Sequence, residues 1–233
     1  MLEVLASDEC GGAAITMPLK SAILPFLDEV SPESKATGAC NTVVKVPLGV
    51  WEEADGRKRW KLVGTNTDIL GVRNALLLAL SSQLSSPSSL PPTPRISGSA
   101  LLIGGGATTR SAAYALTLLS LSPLYIINRD EAEVKAVVES MPGVQFIHLA
   151  TVDDVQRYLS GKGREIVMGV GAIPAIPPQT PAERAVYEIA GAVFSLPYDS
   201  ESASTTIPSE NGIRPQKRIY LEMAVRPSPS PLA

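Results

Sequence analysis

An apolar run that breaks into three glycines and then into a helix constrains this chain more than any other feature. Ala100 to Ile103 reads as a buried strand, Gly104-Gly105-Gly106 follows at once, and Thr108 to Leu119 has helical spacing. Such a turn leaves backbone N–H groups exposed at the helix start, where the helix dipole favours an anion such as a diphosphate. Gly104 and Gly106 fit a G-x-G-x-x-G spacing, while Thr109 stands where a third small residue is usual. The fingerprint is partial, and its strand–helix context strengthens it. The alternative is a glycine turn that only closes strand against helix.

The alternation continues on both sides of that loop. Leu124 to Ile127, Val144 to Leu149 and Glu165 to Val170 read as strands, and Glu131 to Ser140 and Val152 to Leu159 as helices. Short apolar strands alternating with helices predict an α/β half with a parallel sheet covered on both faces. The strand after the glycine helix ends Asn128-Arg129-Asp130, with Glu131 and Glu133 close behind. In dinucleotide sites an acidic group there favours a free ribose 2′-hydroxyl and a basic one a 2′-phosphate. Both signs are present, so the residues themselves leave NADP and NAD open.

The Ser/Pro tract from Ser81 to Pro94 divides the chain, because it offers too little apolar surface to fold. The expected organisation is residues 1–80, a linker over 81–98, and residues 99–233. In the first segment Gly12 to Met17 reads as a strand ended by Pro18. A helical stretch carries Ile23, Leu24, Leu27 and Val30, and Ile69 to Leu80 reads as a second helix. Thr42 to Trp51 and Lys58 to Val63 read as a hairpin turning at Asp55-Gly56, with Trp51 and Trp60 paired across it.

Bulk properties exclude several functions. A net charge of -3 over 233 residues, with basic residues scattered apart from Arg57-Lys58-Arg59, gives no electrostatic case for nucleic acid or anionic membranes. Two cysteines, Cys10 and Cys40, make no disulfide framework and suit a reducing compartment. No apolar run approaches membrane-spanning length, and Met1-Leu2-Glu3 does not begin a signal peptide. The expected location is cytoplasmic, or nuclear for a repressor. The lone His148 reads as a core or edge residue, and no metal site is expected.

Three further segments place small polar or charged groups at strand ends: Thr16-Met17-Pro18-Leu19-Lys20, Gly38-Ala39-Cys40-Asn41-Thr42 and Asn66-Thr67-Asp68. Together with the glycine loop ending in Arg110 and the following Asn128-Arg129, they resemble the shikimate dehydrogenase family. The motifs cover the chain from about Gly12 to Arg129, and the closing strand from Leu221 to Leu232 matches more loosely. The resemblance implies a truncated substrate-binding α/β half followed by a Rossmann-type dinucleotide-binding half. It implies a catalytic pair in Lys20 and Asp68, and hydrogen bonds from Thr16 and Asn41 to a shikimate or quinate hydroxyl. It assigns Gly104, Gly105, Gly106, Ala107, Asn128 and Arg129 to NADP or NAD. The chemistry agrees: oxidising a secondary alcohol requires a base within hydrogen-bond reach of its hydroxyl. A lysine serves where burial favours its neutral form. Without the family, Lys20 reads as a solvated charge and Asp68 as a helix N-cap.

Departures from the family pattern shape the functional expectation. The carboxylate-gripping serines and the closing glutamine helix have no counterpart in this sequence, which predicts a piece of a longer polypeptide or a chain needing a partner. Ala107 replaces a glycine, and the phosphate clamp reads Asn128-Arg129-Asp130-Glu131-Ala132-Glu133. Asp130 and Glu133 are expected to oppose Arg129, weakening dinucleotide binding or abolishing it. Kept substrate residues beside a drifted cofactor cradle resemble the fungal quinate repressors, which are related to the pentafunctional aromatic-pathway polypeptide. A catalytically impaired sensor partnered with a transcription activator is therefore expected, with an active NADP(H)-dependent shikimate or quinate dehydrogenase as the alternative.

Overall fold

β-Branched and leucine-rich runs bounded by Pro, Gly, Ser and Thr set the strands, and several helices start where a Ser, Thr or Asp side-chain oxygen caps them. The computed structural model describes residues 2–7, 9–48, 60–84, 90–91, 93–161, 165–199 and 212–224. The chain falls into two compact units, Met1–Ile69 and Leu70–Ala233.

The first unit begins with helix α1 (Leu2–Ala6) and strand β1 (Gly12–Ala14), shorter than the expected Gly12 to Met17. The expected helix through Val30 is not continuous. Helix α2 (Leu19–Ala22) gives way to a 3-10 turn (Leu24–Phe26) and then to strand β2 (Glu29–Val30). Pro25 explains the break, since it has no N–H to donate and its ring crowds the preceding turn; Leu27 is already extended. Val30 therefore pairs with Gly64 in a sheet. Helix α3 (Pro32–Thr37) is capped by the Ser31 hydroxyl, which accepts from Ser34 N–H at 3.2 Å.

Strands β3 (Thr42–Pro47) and β4 (Trp60–Thr65) form the expected antiparallel pair, in register from Thr42 opposite Thr65 to Pro47 opposite Trp60. Their turn at Asp55-Gly56, Trp51 and the Arg57–Arg59 cluster lie outside the described residues. The sheet order is β1-β3-β4-β2, with β2 parallel to β4 and the other pairs antiparallel. Leu5, Ile15, Ile23, Cys40 and Val43 form its buried core. Cys40 is thus a small apolar core residue. Helix α4 (Asp68–Ser81) crosses the division between the units, and it matches the expected Ile69 to Leu80 closely.

The second unit is an all-parallel five-stranded sheet in the order β7-β6-β5-β8-β9. Its strands are β5 (Ser99–Ile103), β6 (Leu124–Ile127), β7 (Phe146–His148), β8 (Ile166–Gly171) and β9 (Ile219–Glu222). Helices α5 (Ala107–Leu118), α6 (Glu131–Ser140) and α7 (Val152–Leu159) fall where periodicity placed them. Every residue of β5, β6 and β8 is buried, as a sheet covered on both faces requires. One face packs Leu101, Ile103, Tyr125 and Ile127 against Val155 and Val186.

Helix α8 (Pro181–Ser195), which supplies Val186, is absent from the sequence-based elements. Its signal lies in Thr180-Pro181-Ala182-Glu183, a reciprocal capping box with proline at the first helical position. The expected linker is also less detached than its composition suggests. The Gln83 amide donates to Lys217 C=O at 3.2 Å and accepts from Lys217 N–H at 2.8 Å. His148 lies on edge strand β7. No helix among the described residues is long and apolar enough to cross a membrane.

Candidate functional site

In the first unit, three chain crossings bring the motif residues together. Lys20 lies on α2, whose C=O at Lys20 accepts from Cys40 N–H at 2.8 Å. Asn41 follows, with Ile15 N–H donating to its C=O at 2.7 Å and its own N–H donating to Thr65 C=O at 3.1 Å. Asp68 opens α4 directly after β4, and its N–H donates to the Asn66 side chain at 3.2 Å. Asn66 is itself buried and donates to Thr37 Oγ1 at 3.1 Å. Strand ends and short loops, rather than long side-chain reach, set the geometry.

Lys20 Nζ lies 2.6 Å from Asp68 Oδ2, with side-chain exposures of only 14% and 19%. Lys20 is therefore not the solvated surface charge that a bare sequence reading suggests. The other carboxylate oxygen, Oδ1, accepts from Asn41 Nδ2 at 2.7 Å. The orientation of that amide is fixed by its surroundings. Thr67 N–H and Thr42 Oγ1–H each donate to Asn41 Oδ1 at 2.9 Å, so Nδ2 must face the carboxylate. Such a charge-assisted cluster holds the carboxylate at both ends. Thr16 is placed apart from this network: it is exposed at the β1–α2 turn, and its C=O accepts from Leu19 N–H.

In the second unit the glycine loop sits at the C-terminal end of β5, between β6 and β8, the position where open α/β sheets bind ligands. Gly104 has φ +127°, and a Cβ there would stand 2.8 Å from Thr109 Oγ1 and 3.0 Å from Ala172 C=O. Thr109 is fully buried beneath the loop, and its hydroxyl has no hydrogen-bond partner. Gly105 is pressed by the Asn128 amide and by Glu133, whose Oε2 would be 2.7 Å from an added Cβ. Gly106 caps α5 and has open space beside it, and Ala107 begins the helix. A diphosphate could approach the open side at Gly106, so the residues present fit such a group. Arg110, in the first turn of α5, is half-buried, and burial lowers the pKa of its guanidinium.

The charged residues after β6 differ from the expected arrangement. Asp130 does not stand opposed to Arg129; its Oδ1 caps α6, accepting from Ala132 N–H at 2.8 Å and Glu133 N–H at 3.4 Å. Capping wins because the side chain is one residue from orphan helix donors. Asn128 Nδ2 donates to Glu133 Oε2 at 2.7 Å and to Asp130 C=O at 3.1 Å. Arg129 forms an ion pair with Glu183 at the start of α8. The same Glu183 carboxylate accepts from Gln179 N–H at 2.7 Å and Thr180 N–H at 2.9 Å. Those backbone donors, with Arg129 nearby, hold its carboxyl below the ordinary value. Glu183 was not singled out by sequence reasoning: its capping role is legible in Thr180-x-x-Glu183, but its partner lies 54 residues away.

At the outer strand, Glu222 accepts from Tyr220 O–H at 3.3 Å and Ala224 N–H at 2.9 Å. Burial and this carboxylate raise the Tyr220 pKa. Among the described residues no group of three His, Cys, Asp or Glu side chains could hold a metal ion.

Residues 1–43 match the family model of the shikimate dehydrogenase substrate binding domain. By fold the chain is similar to the dehydroquinate dehydratase and shikimate dehydrogenase from S. pombe AroM, with a TM-score of 0.61 and 24% identity over 95% of this chain and 34% of that one. A shikimate 5-dehydrogenase from Mycobacterium fortuitum matches with a TM-score of 0.53 and 26% identity, covering 82% of this chain and 58% of the other. Quinate dehydrogenase from Corynebacterium glutamicum, in complex with NAD, matches at 0.50 and 23% identity, covering 72% and 53%. This chain thus spans from 34% to 58% of the length of these matched chains. It resembles the shikimate and quinate dehydrogenases, through a family model at its start and through its fold over most of its length.

Proposed function

We propose that this chain is a shikimate dehydrogenase-like unit that binds a shikimate- or quinate-type ligand through Lys20, Asp68 and Asn41, with Thr16 at the rim. The observation that carries this reading is the Lys20–Asp68 contact of 2.6 Å, with the second carboxylate oxygen held by Asn41. A ligand hydroxyl needs both a donor and an acceptor, and a paired ammonium and carboxylate offer both at one point. In an oxidation, Lys20 would act as its neutral amine, taking the alcohol proton to become the ammonium, while Asp68 orients it and the hydroxyl. A nicotinamide dinucleotide, NADP or NAD, would supply the hydride acceptor when bound. Gly104, Gly105, Gly106, Ala107, Asn128 and Arg129 are the residues proposed to hold it. Residues 1–80 would then be the substrate-binding segment, 81–98 a linker and 99–233 the dinucleotide-binding segment.

Within this reading we favour a sensor whose turnover is impaired, as in the quinate repressors, acting on a transcription activator. The pairing of Arg129 with Glu183 supports it, because that guanidinium is engaged within the chain. The second reading is an active dehydrogenase reducing 3-dehydroshikimate to shikimate. The half-buried, mutually hydrogen-bonded Lys20–Asp68–Asn41 cluster supports that alternative.

Calorimetric titration with quinate and shikimate tests the shared claim. A Lys20→Met change keeps the apolar stem and removes the donors, so ligand binding should weaken by about 1–3 kcal/mol. Unchanged affinity, with a melting curve matching wild type, would sink the site assignment. A spectrophotometric assay with NADP and NAD separates the two readings: steady hydride transfer identifies the enzyme, and ligand binding without turnover the sensor.

A further inference from the structure

The charged residues around the glycine loop pair with one another and with helix starts. Arg129, the one cation following Asn128 at the end of β6, is drawn to Glu183 across the sheet rim. Glu183 is anchored there by two backbone N–H groups as part of the α8 capping box, so it is not a side chain that swings aside without cost. Glu133 is exposed, and its carboxylate lies against Gly105 with Asn128 Nδ2 holding it at 2.7 Å. The first turn of α6 adds Glu131, and Asp130 caps it. Asp130, Glu131 and Glu133 therefore gather carboxylates at this end of β6, and the neighbouring Arg129 is paired with Glu183.

We propose that Glu183 and Glu133 together set the ribose preference of the glycine-loop site. Glu183 withdraws Arg129 from a 2′-phosphate, and the Glu133 carboxylate, held by Asn128, presents an acceptor suited to a free ribose diol. The site accepts adenine nucleotides with a 2′-hydroxyl and rejects those with a 2′-phosphate. A phosphate beside Glu133 would meet like charge, while a diol donates to the carboxylate. This inference rests on the proposed reading of the loop as a nucleotide site, and it is independent of whether the protein turns over a substrate.

Fragments that report on the adenosine end alone provide the test. Binding of 5′-AMP and of adenosine 2′,5′-bisphosphate is measured by calorimetry or by saturation-transfer NMR on the whole chain. The wild type should bind 5′-AMP about tenfold or more tightly than the bisphosphate, a comparison that needs no variant to fold. Glu183→Gln keeps an oxygen for the backbone donors but releases Arg129. It should tighten bisphosphate binding about tenfold and leave 5′-AMP within about twofold. Adding Arg129→Gln to that variant should abolish the gain, whereas Arg129→Gln in the wild type should change little. Equal or preferred binding of the bisphosphate by the wild type overturns the proposal, as does Glu183→Gln that folds without any gain; in both cases the nucleotide reading stands. Failure of both fragments to bind either protein removes the nucleotide reading, and this inference with it.

Discussion

Lys20 and Arg129 are both cations that sequence motifs assign to a ligand, and they differ in what holds them. Lys20 meets Asp68, the partner its motif implies, because α2 and the start of α4 are fixed by strand ends on one small sheet. Arg129 meets Glu183, a residue outside every motif, because α8 brings its capping carboxylate to the rim of the larger sheet. The first unit thus keeps Lys20, Asp68 and Asn41 in one hydrogen-bonded cluster. In the second, Asp130 caps a helix, Glu183 caps another and pairs with Arg129, and Glu133 bonds Asn128. Residues in loops next to helix starts serve the orphan N–H groups first, since these are the nearest unsatisfied donors.

The contrast can be broken most forcefully in the core of the second unit. Leu101 is fully buried in the central strand β5, and Leu101→Ala should cost about 2–5 kcal/mol in urea unfolding. A cost near zero would mean that the parallel sheet is not what stabilises this unit. The first unit should respond strongly to a polar change instead. Asn41→Ala strips Asp68 Oδ1 and Thr67 N–H of a partner at once, with an expected loss of about 1–3 kcal/mol. A double-mutant cycle with Asp68→Asn sharpens the comparison: non-additive losses identify a coupled cluster, and strictly additive ones would argue that Asn41 only braces the loop.

The smallest effect concerns the pH dependence of the α8 start. Glu183 has its carboxyl pKa lowered from the ordinary 4.5, by hydrogen bonds from Thr180 and Gln179 N–H and by Arg129. A depressed carboxyl stabilises the folded state above its unfolded value, and the contribution disappears as pH falls through the folded value. Wild type should therefore lose stability below pH 4.5 relative to Glu183→Gln, with the two curves converging on further acidification. Parallel curves down to about pH 3 would show that this carboxylate contributes no linkage.

How much was legible depended on how locally each feature is encoded. Strand–helix alternation from Ala100 to Leu159 could be read from apolar periodicity, and so could α4 and the β3–β4 pair. The helix expected through Val30 failed at Pro25, whose missing donor outweighs the apolar spacing around it. Helix α8 carried a capping box that periodicity alone passed over. Glu183 as a partner of Arg129 had no signal that a single sequence carries.

By itself the sequence determined the α/β character of the second unit, the place of the glycine loop, and the identities of Lys20, Asp68 and Asn41 as the polar residues at strand ends. These follow from short-range rules: periodicity, turn residues and motif spacing operate over a few residues and survive in any packing. Only the tertiary structure decided that Asn41 holds the carboxylate through Nδ2, that Thr16 stays exposed, and that Arg129 is paired. Each of those outcomes depends on which donor and acceptor come within about 3 Å of each other. That distance is set by the packing of elements tens of residues apart.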